Sequence, residues 1–300
     1  MDLLDALLFA LPVSLRAMVP IAVAAIGEVM SERAGVVNIG LEGILTISAF
    51  TGVFAAWAWG DPWLGAAIGL LTGAFIGLIH GWISVYLRGD QIISAVGINL
   101  LALGLVGFGT FVVWGGKTYQ LNSALWMPNV STPWGFAISP FAILTVLLAV
   151  MAWWILERTS FGLRVKAVGE HPEAADVAGV RVERIRLLAV IFGGALAGLG
   201  GAFLSLDWTH TVTNTLPAGR GFIALAAVVF SKLNPLLALL GGFLFGYFDA
   251  LAIQLASLGS TVLPYEFVRM IPYIVTLVVV AGAIGRARFP KAIAQPYSRE

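Results

Sequence analysis

Apolar runs divided by polar breaks repeat along the chain from residue 12 to residue 285. A helix that crosses hydrocarbon needs about 20 predominantly apolar residues. About nine segments meet or approach that length, at 12–30, 44–60, 63–87, 92–114, 138–156, 187–206, 220–230, 236–258 and 267–284. The breaks carry turn chemistry: Gly60-Asp61-Pro62 and Arg88-Gly89-Asp90-Gln91 are tight connections, and Ser231-Lys232-Leu233-Asn234-Pro235 ends the shortest run. Longer breaks are a polar, aromatic loop over 115–139, a hydrophilic interval over 157–186 and a polar loop over 207–219. The first run holds Arg16, Pro20 and Glu28, so it is expected to lie among other helices instead of facing lipid. The residues before it predict a short apolar segment on or near the membrane surface; Asp2 and Asp5 stand where a cleavable signal would be basic. Within 63–87, Gly69, Gly73, Gly77 and Gly81 recur every four residues, which puts them on one face for close helix packing.

Composition sharpens this picture. The 300 residues are 59% hydrophobic and 11% charged, with mean hydropathy +0.94, far from the roughly 25% charged residues of soluble domains. The expected fold class is therefore all-α: a polytopic transmembrane bundle, one domain over 1–300. A net charge of +1 offers no basic face for nucleic acid, and the absence of cysteine removes disulfide and thiolate chemistry. Six of the 17 basic residues fall in 157–186. If that interval is cytoplasmic, alternation places Arg33, Arg88, Lys232, Arg286, Arg288 and Lys291 on the same side, the carboxyl terminus inside and the amino terminus outside. Lys117, Arg220 and Arg269 fall outside the pattern.

The interval also divides the chain. A first helical half over 12–114 and a second over 187–285 flank a lead-in helix at 138–156 and the loop at 157–186. Four spans in each half, in opposite orientation, predict an inverted repeat. The second span of each half is short or glycine-interrupted, at 35–60 and 219–230. Paired broken segments of this kind point to a solute site near the midplane, with discontinuous helices beside a pore.

Candidate chemistry concentrates in Glu32-Arg33-Ala34-Gly35-Val36-Val37-Asn38-Ile39-Gly40-Leu41-Glu42-Gly43. Charges between lipid-length segments must face a partner, water or a pathway, since hydrocarbon costs each several kcal/mol. Two readings stand. In one, the carboxylates of Glu28, Glu32 and Glu42 pair with Arg33 while Asn38 caps a broken helix end. In the other, Glu28, Asn38 and Glu42, with Arg220, line a translocation path. Enzyme signatures fail: Gly116-Lys117-Thr118 lacks the P-loop glycine, with Phe111 in its place, and no Gly-x-Ser-x-Gly elbow exists. His80, His171 and His210 lie in separate segments without metal-ligand spacing, so no metal or other cofactor is expected. Within 157–186, Gly169-Glu170-His171-Pro172-Glu173-Ala174-Ala175-Asp176-Val177-Ala178-Gly179 predicts a short surface helix, with Pro172 at its first position and Gly179 just past its end. It is either a solvated connector or a docking element for a motor subunit.

The run Gly27-Glu28-Val29-Met30-Ser31-Glu32-Arg33 continuing to Gly43, Glu173-Ala174-Ala175 with Gly179, Gly219-Arg220-Gly221-Phe222-Ile223-Ala224-Leu225 and Ile271-Pro272-Tyr273-Ile274 together resemble a family. They are similar to the permease subunits of bacterial ATP-binding cassette importers of the branched-chain amino acid, ribose and nucleoside group, most of all the shorter permease of nucleoside importers. The resemblance covers nearly the whole chain. It implies a bacterial inner-membrane subunit that carries nucleosides or related ribose-containing solutes and is no enzyme itself. Its implied partners are an ATPase that binds ATP and magnesium, a second permease and an external solute-binding protein. Gly169, Glu170, His171, Pro172, Glu173, Ala174, Ala175 and Gly179 would make the ATPase contact, with Arg at Glu173 and Ala175 expected to abolish uptake and leave the fold intact. The Ile-x-Leu-Pro tail that follows this element in other importer permeases is absent, so ATPase contact is implied only for the helix from Pro172 to Gly179. Asn38 and Glu42 would offer hydrogen bonds to ribose hydroxyls or base edges. Trp57, Trp59, Trp63, Trp126 and Trp134 are expected at the membrane interfaces, where one could stack on a base near an entrance. The rival from another class is a stand-alone carrier or channel driven by an ion gradient, and an intramembrane enzyme is a third reading with no catalytic pair to support it.

Overall fold

The computed structural model describes residues 3–131, 137–257, 265–283 and 288–298. Eleven α-helices follow in order among these: α1 (Leu3–Arg33), α2 (Leu41–Trp59), α3 (Pro62–Gly81), α4 (Gln91–Trp114), α5 (Pro140–Arg158), α6 (Ser160–Glu170), α7 (Pro172–Val177), α8 (Val182–Phe203), α9 (Arg220–Ser231), α10 (Pro235–Ser257) and α11 (Tyr265–Ala283). Helix α3 runs on into a π-helical turn at Trp82–Tyr86 and α8 into another at Leu204–Trp208. The polar breaks act as caps. Asp61 accepts from the Trp63 N–H at 2.8 Å, and Asp90 from the Ile92 and Ile93 N–H groups at 2.8 and 2.9 Å, so each satisfies orphan donors at a helix start.

Seven of these helices are long and apolar enough to cross a membrane, from Ala10–Arg33 to Pro235–Ala256; Arg220–Ser231 is apolar and shorter. Two expectations change. The residues before 12 form no separate surface segment but continue α1 from Leu3. The Leu- and Ala-rich start favours helix, and Pro12 and Pro20 are carried inside it. The bundle also carries small strands: β1 (Tyr119–Gln120), β2 (Val130–Ser131), β3 (Ala137–Ile138) and β4 (Thr211–Val212). β1 pairs antiparallel with β4, and β2 with β3, so the 115–139 and 207–219 loops hold each other. Trp134 lies outside the described residues.

Helices α1, α8 and α2 are the most enclosed of the spanning set, and α4 the least. The most extensive interfaces join α1 with α10 and α3 with α8. Glycine sets the α3–α8 distance. A Cβ on Gly73 would stand 2.2 Å from the Gly194 carbonyl oxygen, and one on Gly198 would stand 2.4 Å from that of Gly69. Gly77 faces the Val190 carbonyl at 2.8 Å, Gly69 the Ala202 Cβ at 2.7 Å and Gly81 a Leu187 methyl at 2.8 Å. The ladder of four therefore faces the glycine- and alanine-rich side of α8. Gly73→Ala is expected to force the two backbones apart and cost about 1–3 kcal/mol. Thermal unfolding in detergent checks this against Gly97→Ala, where nothing lies within 4 Å of the added methyl and no loss is expected.

The basic segments gather at one end of the bundle. Arg33 Nε donates to the Leu233 carbonyl at 2.9 Å, the Ala292 N–H to the Gly169 carbonyl at 3.0 Å, and residues 88–92 border one cleft with Ala294 and Pro296. At the other end of α1 and α8, Arg16 pairs with Asp207, whose second oxygen accepts from Ser139 Oγ at 2.7 Å. There Trp126 stacks on His210 at 3.9 Å, and burial lowers the imidazole pKa.

Candidate functional site

Helix α1 stops at Arg33, and α2 does not begin until Leu41. Residues 34–40 are thus non-helical backbone inside the bundle, where each peptide group needs a partner that water would otherwise supply. Side chains from three helices supply it. The Val37 N–H donates to Gln91 Oε1 at 2.8 Å, and His80 Nε2 lies 3.1 Å from the Val37 carbonyl. A carbonyl only accepts, so Nε2 carries the proton, and Nδ1 meets Ser94 Oγ at 3.0 Å. The Asn38 N–H donates to Glu28 Oε1 at 2.7 Å, and Asn38 Oδ1 accepts from the Gly40 N–H at 2.9 Å. Asn99 spans the start of α2: its Nδ2 donates to the Ile39 carbonyl at 3.1 Å, and its Oδ1 accepts from the Gly43 N–H at 2.7 Å.

The same region meets the second break. Glu42, in the first turn of α2, reaches to the start of α9: Oε1 accepts from the Gly219 N–H at 2.7 Å and Oε2 from the Gly221 N–H at 2.8 Å. One carboxylate therefore sits at the amino ends of two helices, where the aligned peptide dipoles favour negative charge. Gly221 permits this approach; a Cβ there would lie 2.4 Å from the Glu42 backbone nitrogen. Gly219 takes φ +85°, a left-handed conformation that turns the loop into α9. Arg220, the next residue, pairs with Asp249 on α10, Nη2 to Oδ2 at 2.6 Å. This pair lines a pocket of about 190 Å³ with Tyr273 and Pro272 of α11 and Ile253 of α10. Tyr273 Oη closes one side by donating to the Ala218 carbonyl at 2.9 Å.

The candidate residues thus divide. Glu28 and Asn38 are fully enclosed and bonded to backbone, Glu42 joins two helix starts, and Arg220 borders open space. The expected pairing of the carboxylates with Arg33 is not formed. Arg33 donates to the Leu233 and Lys232 carbonyls, and the ion pairs among the described residues are Arg16–Asp207, Lys166–Glu157 and Arg220–Asp249. The reason is direction: Arg33 ends α1 and points toward the basic end of the bundle, whereas Glu28 points back at the break. The sequence reading considers His80 only as a metal ligand and Gln91 only as part of a turn, and does not single out Asn99 or Asp249. Each is a polar residue within or at the start of a predicted span, and that isolation was the available signal.

The surface helix α7 starts at Pro172, and Gly179 follows it in left-handed conformation at φ +83°. Gly169, at the end of α6, is pressed against α1; a Cβ there would stand 2.1 Å from the Arg33 carbonyl oxygen. Glu170, His171, Glu173 and Ala174 are exposed. Val177 is 92% exposed, whereas Ala175 is 5% exposed and belongs to the core. An Arg at Ala175 would therefore disturb the fold, which corrects the expectation that it would leave the fold intact.

The family described as branched-chain amino acid transport system / permease component matches residues 13–280. The chain is 37% identical to the guanosine ABC transporter permease protein NupQ of Bacillus subtilis, over 99% of this chain and 98% of that one. It is 37% identical to the nucleoside ABC transporter permease protein NupC of Lactococcus lactis, over 91% of each chain. It is also 34% identical to the putative glucose ABC transporter permease protein TsgC13 of Haloferax volcanii, over 92% of this chain and 93% of that one. With seven helices of spanning length and a family match over most of its residues, this multi-pass membrane protein belongs to the permease-component family of branched-chain amino acid transport systems.

Proposed function

We propose that this chain is a membrane-spanning permease subunit of an ATP-binding cassette importer and forms part of the path for nucleosides or related ribose-containing solutes. The observation that carries this reading is the similarity over nearly the full length to permeases whose names specify guanosine or nucleosides. In this reading the chain crosses a bacterial inner membrane about nine times, α9 and α11 completing the set. The halves form an inverted repeat, α1 to α4 matching α8 to α11. The packing supports that exchange: α3 lies on α8 as α10 lies on α1, and α2 contacts α3, α4 and α8 as α9 contacts α10, α11 and α1. Gly27 of α1 and Gly193 of α8 face each other's carbonyls, as residues near a two-fold axis would.

Glu28, Asn38 and Glu42 then serve the path by holding the backbone of its wall, and Arg220, with Asp249 and Tyr273, offers charge and an aromatic face to passing solute. Helix α7, from Pro172 to Gly179, faces the cytoplasm and seats in an ATPase, which binds ATP and magnesium. Closure of two ATPases moves α7 and tips the bundle between outward-open and inward-open. A second permease completes the pore, and an external binding protein delivers solute.

Reconstitution tests this reading. Liposomes holding this chain with its second permease and ATPases are expected to take up nucleoside from the binding protein only when supplied with ATP, and unlabelled nucleoside is expected to compete better than free ribose. Full-rate uptake through this chain alone, without any ATPase, would replace the reading with a stand-alone carrier.

A further inference from the structure

Three segments far apart in sequence meet at the basic end of the bundle: α7, the break at 34–40 and the tail at 288–298. The Tyr297 hydroxyl lies 3.0 Å from Asp176 Oδ2 on α7. The Ala292 N–H donates to the Gly169 carbonyl and the Ala294 N–H to the Gly35 carbonyl, both at 3.0 Å. Arg186 sits beneath all of them, 2% exposed. Its Nε donates to the Ala34 carbonyl at 3.1 Å, its Nη1 to the Gln295 carbonyl at 2.8 Å and its Nη2 to the Ala292 carbonyl at 3.5 Å. One planar guanidinium thus holds the helix break and the tail in fixed relation, a geometry that an ammonium could not reproduce. Gly35, at φ +90°, lets the Ala292 carbonyl press on the break; a Cβ there would stand 3.1 Å from it. Toward α7 the contact is different. A groove of about 460 Å³, lined by Pro172, Glu173, Asp176, Arg186, Gln295 and Tyr297, separates helix from tail. The tail is therefore fastened to the break by several bonds and reaches α7 across open space through Tyr297.

We propose that the tail is the link by which movement of α7 reaches the break at 34–40, with Arg186 and Tyr297 as positioning residues. This rests on the importer reading above. A buried cation bonded only to carbonyls is costly, and here it secures a segment that touches both α7 and the break that carries Asn38.

Tyr297→Phe removes the hydroxyl and keeps the ring, and Arg186→Lys keeps the charge and loses the fork. In the reconstituted importer, both are expected to leave assembly and ATP hydrolysis within about twofold of wild type. Solute moved per ATP is expected to fall about fivefold or more. Amide hydrogen exchange at 34–40 in Arg186→Lys is expected to quicken by a similar factor, a readout independent of transport. An unchanged ratio and unchanged exchange overturn the link. Parallel loss of hydrolysis, uptake and thermal stability also overturns it, since the tail would then be a structural clasp only. Absence of ATP-dependent uptake in the wild type instead removes the importer reading, and the exchange measurement still decides whether the tail governs the break.

Discussion

Glu42→Leu is expected to abolish uptake and to lower thermal stability more than any other single exchange at the candidate site. The carboxylate accepts from the N–H groups of Gly219 and Gly221, and each such charge-assisted bond is worth about 1.5–3 kcal/mol. Removing it takes the acceptor from two N–H groups at the start of α9 and leaves two helix starts facing each other without negative charge between them. Glu42→Gln separates the contributions. Its amide oxygen can still take one N–H, while the NH₂ group must face the other, so an intermediate loss is expected. Measuring unfolding temperature and uptake for both variants checks the ordering. Leu and Gln behaving alike would mean that the two bonds do not hold α9 in place.

The second large effect is expected on α7. Ala174→Arg with Val177→Arg places two long cations on its exposed face, three residues apart and so neighbours on the helix. An apolar side chain as open as Val177, 92% exposed on the surface, is the position at which a docked subunit would exclude water. Uptake is expected to fall at least tenfold, the equivalent of about 1.4 kcal/mol in the contact, and the purified chain should no longer retain the ATPase. The fold is expected to survive, because neither side chain is packed. Ala175→Arg is the contrast, expected to lower the unfolding temperature as well, since its methyl is enclosed. Normal uptake by the exposed-face variant would exclude α7 as the site where force enters.

Several parts of this structure were readable without coordinates, each for a local reason. Gly60-Asp61-Pro62 announces the end of α2 and the start of α3 because a left-handed glycine, an N-cap carboxylate and a proline at the first helical position act through neighbouring atoms only. Pro172 and Gly179 delimit α7 by the same chemistry. The glycine spacing in α3 implied a close neighbour, though not that the neighbour would be α8 with glycines of its own. Hydrogen-bond partners were not legible in the same way. Arg33 lies one residue from Glu32 in sequence, which suggests a pair with the carboxylates, yet it turns to the carbonyls of 232 and 233, some two hundred residues away. The roles of His80, Gln91 and Asn99 are hidden for the same reason: nothing near them in the chain reveals that each completes a hydrogen bond to 37, 39 or 43.

The order of residues by itself determined that this chain is a bundle of membrane helices, where most of them begin and end, and that the breaks near 35 and 219 are exceptional. Those properties follow from hydrocarbon thickness, backbone caps and the cost of charge in lipid, all of which act locally along the chain. Only the tertiary structure decided that the two breaks meet at one carboxylate, that Glu28 and Asn99 hold the backbone of 38, 39 and 43, and that the tail returns to Arg186. A buried donor takes whichever acceptor the packing brings within 3 Å, and the packing is settled by the shapes of whole helix faces, to which no single motif gives access.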